Sequence, residues 1–96
     1  MTYAQAQTMF TTSRKRKLAN NTYLEDRGDH YAIRLHATDI ISLYPTRTVL
    51  DSGGWETVTT KARMNEFSGL HVAQKAFIWL VGNQEFHDGI SFPATL

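Results

Sequence analysis

Cysteine is absent from the 96 residues, which excludes a disulfide framework, a thiol nucleophile and any Cys-rich zinc or iron–sulfur site. That usage fits a reducing cytosol. No apolar run approaches the roughly 20 residues that span a bilayer, and the opening MTYAQAQTMF lacks the basic and apolar regions of a secretory signal. A soluble, cytoplasmic protein with no membrane association is therefore expected. Excess charge is missing as well: the formal net charge is +1, so bulk electrostatics points neither to nucleic acid nor to an acidic DNA mimic. Any electrostatic argument has to be local. Internal repeats and low-complexity stretches are also lacking. What the chain does have is 42% hydrophobic and 11% aromatic residues, more than a disordered segment carries, at a length that supports one modest core. It reads as a single domain, 1–96, with an N-terminal arm over 1–17 and a core over 18–96.

Tyr3, Ala6 and Phe10 have helix-like spacing, which predicts a short N-terminal helix or docked arm. Four consecutive basic residues follow, Arg14 to Lys17, and such a run reads first as a solvated connection. From Thr22 the hydrophobic period changes to two. TYLED is a strand candidate and Arg27–His30 a hairpin turn, with Gly28 free to take positive φ. Tyr31, Ile33, Leu35 and Ala37 then alternate with polar or small residues. DIISLY continues as strand, either beyond a bend or bulge near Thr38–Asp39 or as one long strand. Pro45 turns the chain and TVLDS returns. A helix is predicted over TTKARMNEFSG, with Thr59 or Thr60 as its cap and Gly69 in the left-handed position after its end. LHVAQKAFIWLVG reads as a strand, continuing or turning into a second near Lys75–Ala76, with AFIWLVG mostly core; NQ is another turn and EFHDGISF completes the set. The class is α+β: an antiparallel meander of about four strands, one helix against it, then a β-hairpin.

Catalytic patterns are sparse. His30, His36, His71 and His87 form no ligand pair, and no nucleophile elbow, phosphate loop or paired-carboxylate signature occurs. The expectation is a non-enzyme with no cofactor and no metal. In DSGGWETVTTK, Gly53 and Gly54 would admit a phosphate near the helix start, with Lys61 and Arg63 adding positive charge. Four residues intervene between the glycines and the helix, however, so the stretch leans towards scaffold: a glycine turn, a tryptophan under the helix and threonine caps. The better interaction candidate is Arg14, Lys15, Arg16 and Lys17, joined by Arg34 and His36 on the polar face of a strand. Tyr23 or Trp55 would supply an aromatic contact.

Taken together, RKLANNTYL, YAIRLHATDII and LDSGGWETVTTKARMNEF resemble a group of short proteins encoded by bacteriophages and other mobile elements. The resemblance covers about residues 16–92, and its most distinctive part is Gly53 to Lys61. YPTRT stands where an Asp-Gly or Asn-Gly hairpin would be more typical. The resemblance assigns no catalytic or binding position. It implies a non-enzymatic protein that binds and blocks a host machine, as anti-CRISPR proteins do by occluding a ribonucleoprotein. The expected partner is a host protein or ribonucleoprotein complex, and the expected form a monomer or homodimer. A small DNA- or RNA-binding regulator using the same basic residues is the alternative.

Overall fold

Residues 1–10 and 15–94 are described by the structure, a computed structural model. Their elements run α1 (Tyr3–Met9), β1 (Lys15–Ala19), β2 (Thr22–Asp26), β3 (Tyr31–Leu35), β4 (Thr38–Leu43), β5 (Arg47–Leu50), α2 (Val58–Phe67), β6 (Val72–Lys75), β7 (Ile78–Val81), β8 (Gln84–Glu85) and β9 (Ile90–Pro93). Strands β1 to β5 form consecutive antiparallel hairpins, and β9 returns beside β5 to complete a six-stranded sheet. Strands β6, β7 and β8 form a second, three-stranded sheet. The class is α+β, as expected, with α2 between the two sheets in sequence.

The meander has a strand more than expected because part of the basic run is β1. Lys15, Arg16 and Lys17 are all exposed, so the alternation that marks a half-buried strand is missing. The backbone nevertheless pairs with β2, Lys15 opposite Glu25 and Lys17 opposite Tyr23. Among the described strands β1 is at the sheet edge beside β2 alone, and lysines on such an edge discourage a further chain from adding to the sheet. A connection was expected here; a guarded edge strand is found. Arg14 lies outside the described residues.

The turn at Arg27–His30, between β2 and β3, falls where expected. Gly28 has φ 95°, and its N–H donates to Asp26 Oδ1 at 2.8 Å. The next strand does not run on to Ala37. It stops at Leu35, and a two-residue turn at His36–Ala37 reverses it into β4. His36 takes φ 54°, a conformation that sequence patterning assigns to glycine or asparagine. The expected irregularity near Thr38–Asp39 falls one residue later: Ile33 pairs Ile41 and Arg34 pairs Asp39, leaving Ile40 as the extra residue of a bulge. The bulge lets Ile40 and its neighbour Ile41 both reach the interior, at 1% and 0% exposure.

One core joins the two sheets. Leu24, Ile33, Ile41, Leu43, Leu50 and Ile90 contribute from the larger sheet, Met64 from α2, and Val72, Trp79, Val81 and Phe86 from the smaller sheet and its flank. Each such side chain contributes about 1.5–3 kcal/mol by leaving water. The cap of α2 is Thr57, not Thr59 or Thr60. Thr57 is still extended, and its Oγ1 accepts from the Thr60 N–H at 3.1 Å. Thr60 has turned inward, with its hydroxyl 3.0 Å from Thr57 Oγ1. Gly69 takes φ 78° after the helix, as expected. Asn65 then acts as a short strand of its own: Oδ1 accepts from Val72 N–H at 2.6 Å, and Nδ2 donates to Val72 O at 3.0 Å. These two bonds fix where β6 starts.

In AFIWLVG, Trp79 and Val81 are core, but Phe77 is 93% exposed. It sits with Ala76 in the two-residue turn between β6 and β7. The next turn is Gly82–Asn83 rather than NQ, and Gln84 already belongs to β8.

Candidate functional site

The sequence-derived site residues separate into three places. Lys15, Lys17, Tyr23 and Arg34 share the outer face of β1–β2–β3, because Lys17 pairs Tyr23 and Tyr23 pairs Arg34 across the strands. Lys15 Nζ lies 4.5 Å from the Tyr23 ring centre and the Arg34 guanidinium 5.1 Å from it. A ring carrying two cations has the composition of a nucleic-acid contact, but Arg34 is already engaged. Its guanidinium donates to Glu25 and to the His36 carbonyl. Arg16, on the other face, donates to Met9 O at 3.3 Å.

Lys61 and Arg63 lie on α2, away from that ring. Lys61 Nζ donates to Gln74 Oε1 at 3.2 Å, which ties the first turn of the helix to β6. Arg63 Nε donates to Thr22 Oγ1 at 3.0 Å and NH1 lies 3.5 Å from Glu66, which ties the middle of the helix to β2. Both cations therefore hold the helix in place.

His36 and Trp55 meet at the third place. A cavity of about 260 Å³ opens beside them, lined by Leu35, His36, Ala37, Thr38, Ile40, Ser52, Trp55 and Thr60. Its floor is closed, since Ile40, Ser52 and Thr60 are each 3% exposed or less. Trp55, expected beneath the helix, is instead 70% exposed at the rim, and Val58 after it is 78% exposed. The loop that carries Trp55 is shaped by two glycines at φ 64° and 85° and held by a carboxylate from far along the chain. Asp88 Oδ1 accepts from the Ser52 N–H and from Ser52 Oγ, both at 2.7 Å, and Oδ2 accepts from the Gly54 N–H at 3.2 Å. Partial burial raises the Asp88 pKa, but these donors outweigh it, and the net shift is downward. The loop thus offers its amides inward, to Asp88, rather than to an external phosphate. This supports the scaffold reading of the glycines while leaving the tryptophan exposed.

The histidines do not assemble a reactive set. His30 Nδ1 lies 2.6 Å from Asp29 Oδ1, a contact that lowers the Asp29 pKa. The His30 ring stacks on Tyr44 at 4.4 Å, with the Arg47 guanidinium 4.0 Å from the Tyr44 ring. Asp39 and Glu66 are bound to Arg27 and Arg63. Among the described residues no group of three or more His, Asp or Glu could hold a metal ion, and no helix is long and apolar enough to cross a membrane.

Sequence reasoning missed Asp88, Val58 and Phe77. For Asp88, no local signal marks a carboxylate that caps a loop 36 residues away. Val58 lies in a stretch with no pattern that marks exposure, and Phe77 lies in a run read as mostly core. A family model described as Kyanoviridae Gp96 protein matches residues 2–93. No curated protein and no solved structure matches the chain.

Proposed function

The chain belongs to the Kyanoviridae Gp96 family, a bacteriophage protein family, and from that premise we propose that it is a non-catalytic binding protein acting on a protein of the infected host. The observation that carries this reading is the pair of exposed apolar side chains, Trp55 at 70% and Val58 at 78%, beside the open-mouthed cavity of about 260 Å³. Exposed tryptophan next to a pocket is the usual composition of an interface centre. In its narrowest form the partner is a host-defence ribonucleoprotein, blocked by steric occlusion in the manner of an anti-CRISPR protein. Host cytoplasm is then the place of action. Support for this form comes from the phage family, the small single domain and a surface of mixed charge.

A direct DNA- or RNA-binding role is the second reading, favoured by Lys15 and Arg34 over the Tyr23 ring. The internal bonds of Arg34, Arg16, Lys61 and Arg63 weigh against it, because a guanidinium already paired with a carboxylate or carbonyl gives up that bond to reach a phosphate.

The test is affinity capture from host lysate with and without nuclease, comparing the native chain with Trp55→Ala and with Lys15→Ala/Lys17→Ala. One stoichiometric host protein complex that survives nuclease and is lost with Trp55→Ala is the expected result. Recovery of nucleic acid alone, lost with the lysine variant and falling steeply with salt, would overturn the protein-binding reading in favour of the second.

A further inference from the structure

A second exposed apolar point lies at the β6–β7 hairpin. Its turn residues Ala76 and Phe77 take φ 51° and 67°, where a bulky side chain is a genuine outlier and Asn-Gly is the favoured pair. Phe77 is 93% exposed and Ile78 beside it 44%. So the chain spends backbone strain to hold a phenyl ring out in water, with no shelter from its own residues.

The base of the hairpin, by contrast, is firmly set. Val72, Trp79 and Val81 are buried, Trp79 packs on Phe86 with ring centres 5.4 Å apart, and Asn65 bonds both backbone groups of Val72. A strained turn on a fixed base keeps its apolar tip pre-organised, which lowers the ordering cost of binding. The charged residue adjoining the turn in sequence is basic. Lys75 is exposed next to the turn, Lys61 reaches Gln74 on the preceding strand, and no acidic residue occurs between Glu66 and Glu85.

We propose that Phe77 is an anchor for a protein partner, its ring entering an apolar pocket rimmed by Asp and Glu carboxylates that face Lys75. This rests on the binding reading above and adds a contact separate from the Trp55 rim. It makes a prediction that a purely structural turn does not share: relieving the strain should raise stability and remove binding together.

Ala76→Asn/Phe77→Gly installs the favoured pair. Its Tm should rise by several degrees, while retention of the host partner recovered by the native chain falls about tenfold or more. Phe77→Tyr should keep the partner. Lys75→Glu should weaken retention at low salt more than at high salt, as facing carboxylates require. A photoreactive benzoylphenylalanine at position 77 should cross-link one host polypeptide at a peptide containing Asp or Glu. The proposal is overturned if Ala76→Asn/Phe77→Gly is more stable yet retains the partner fully. Cross-linking to a second copy of this chain, or Phe77-dependent binding to phosphatidylglycerol vesicles, would overturn it in favour of those occupants. Loss of capture with Trp55→Ala but not with the turn variant sinks the tip alone. A native chain that captures no host protein sinks both readings.

Discussion

Gly53→Ala tests the loop that carries Trp55, and its cost can be worked from two separate sources. Gly53 has φ 64°, so any side chain there pays the left-handed penalty, about 1 kcal/mol for alanine. The added Cβ would also stand 2.7 Å from both Thr38 Cγ2 and Thr38 Oγ1, and 3.3 Å from Thr38 Cβ. Contacts of 2.7 Å force a shift of the Thr38 end of β4 or of the loop, which costs about 1–3 kcal/mol. Gly54 is the internal control: its φ is 85°, yet nothing lies within 4 Å of the Cβ that alanine would add. Gly54→Ala therefore carries the backbone penalty alone.

The expected losses are about 2–4 kcal/mol for Gly53→Ala and about 1 kcal/mol for Gly54→Ala. At about 4–8 °C per kcal/mol for a domain of this size, thermal unfolding resolves the two easily. Thr38→Ala removes both clashing atoms, so the double variant Gly53→Ala/Thr38→Ala should recover the steric part, leaving a positive coupling in the mutant cycle. Equal Tm losses for the two glycine variants, or additivity of Gly53→Ala with Thr38→Ala, would refute the close approach of loop and strand.

Asp88 is held ionised by the Ser52 and Gly54 donors, so its folded pKa lies below its unfolded one. Its stabilisation is fully present above the unfolded value, about 3.9, and is lost as pH falls through the lower folded value. Asp88→Asn should cost about 1 kcal/mol near neutrality, the exposed carboxylate being screened by solvent. It should also flatten the acid limb of a stability-against-pH curve measured by urea unfolding; an unchanged limb would remove Asp88 from the account. Asn65→Ala leaves the Val72 peptide without either side-chain partner at a residue that is 1% exposed. We expect a loss of about 2–3 kcal/mol and faster amide exchange at Val72, and no change in exchange there would contradict the bonding.

Legibility of the fold followed the glycines and the alternation. The Arg27–His30 hairpin and the end of α2 were readable because Gly28 and Gly69 take the positive φ that their positions require. The turn at His36–Ala37 was not, because a residue with a side chain, His36, occupies the left-handed region there and the apolar pattern runs on; of the two readings open near Lys75–Ala76, the turn is the one found, at Ala76–Phe77. Strand β1 was hidden for a different reason. An edge strand can be built from cations, since its pairing uses backbone groups and its stability depends on the neighbour. At the candidate site, His36 and Trp55 were named in advance and do meet, but the cavity between them depends on the β3–β4 turn, which sequence did not reveal. Of the cationic residues, Lys15 and Arg34 lie over one ring, while Lys61 and Arg63 lie on α2. Arg34, Lys61 and Arg63 each have partners within the fold, Glu25 for Arg34, Gln74 for Lys61 and Thr22 for Arg63.

The return of β9 to the edge of β5 has a kinetic consequence. Strands β1 to β5 meet in sequence order through short turns, so each pairing closes only a small loop. Pairing Leu50 with Ile90 closes one of about 40 residues, an entropic cost of about 3 kcal/mol before any contact repays it. The five-stranded meander can therefore assemble first, with β9 docking after the intervening helix and hairpin have shortened the path. Mutations in β9 would then speed unfolding while leaving the folding rate nearly unchanged, and mutations in β3 would slow folding itself.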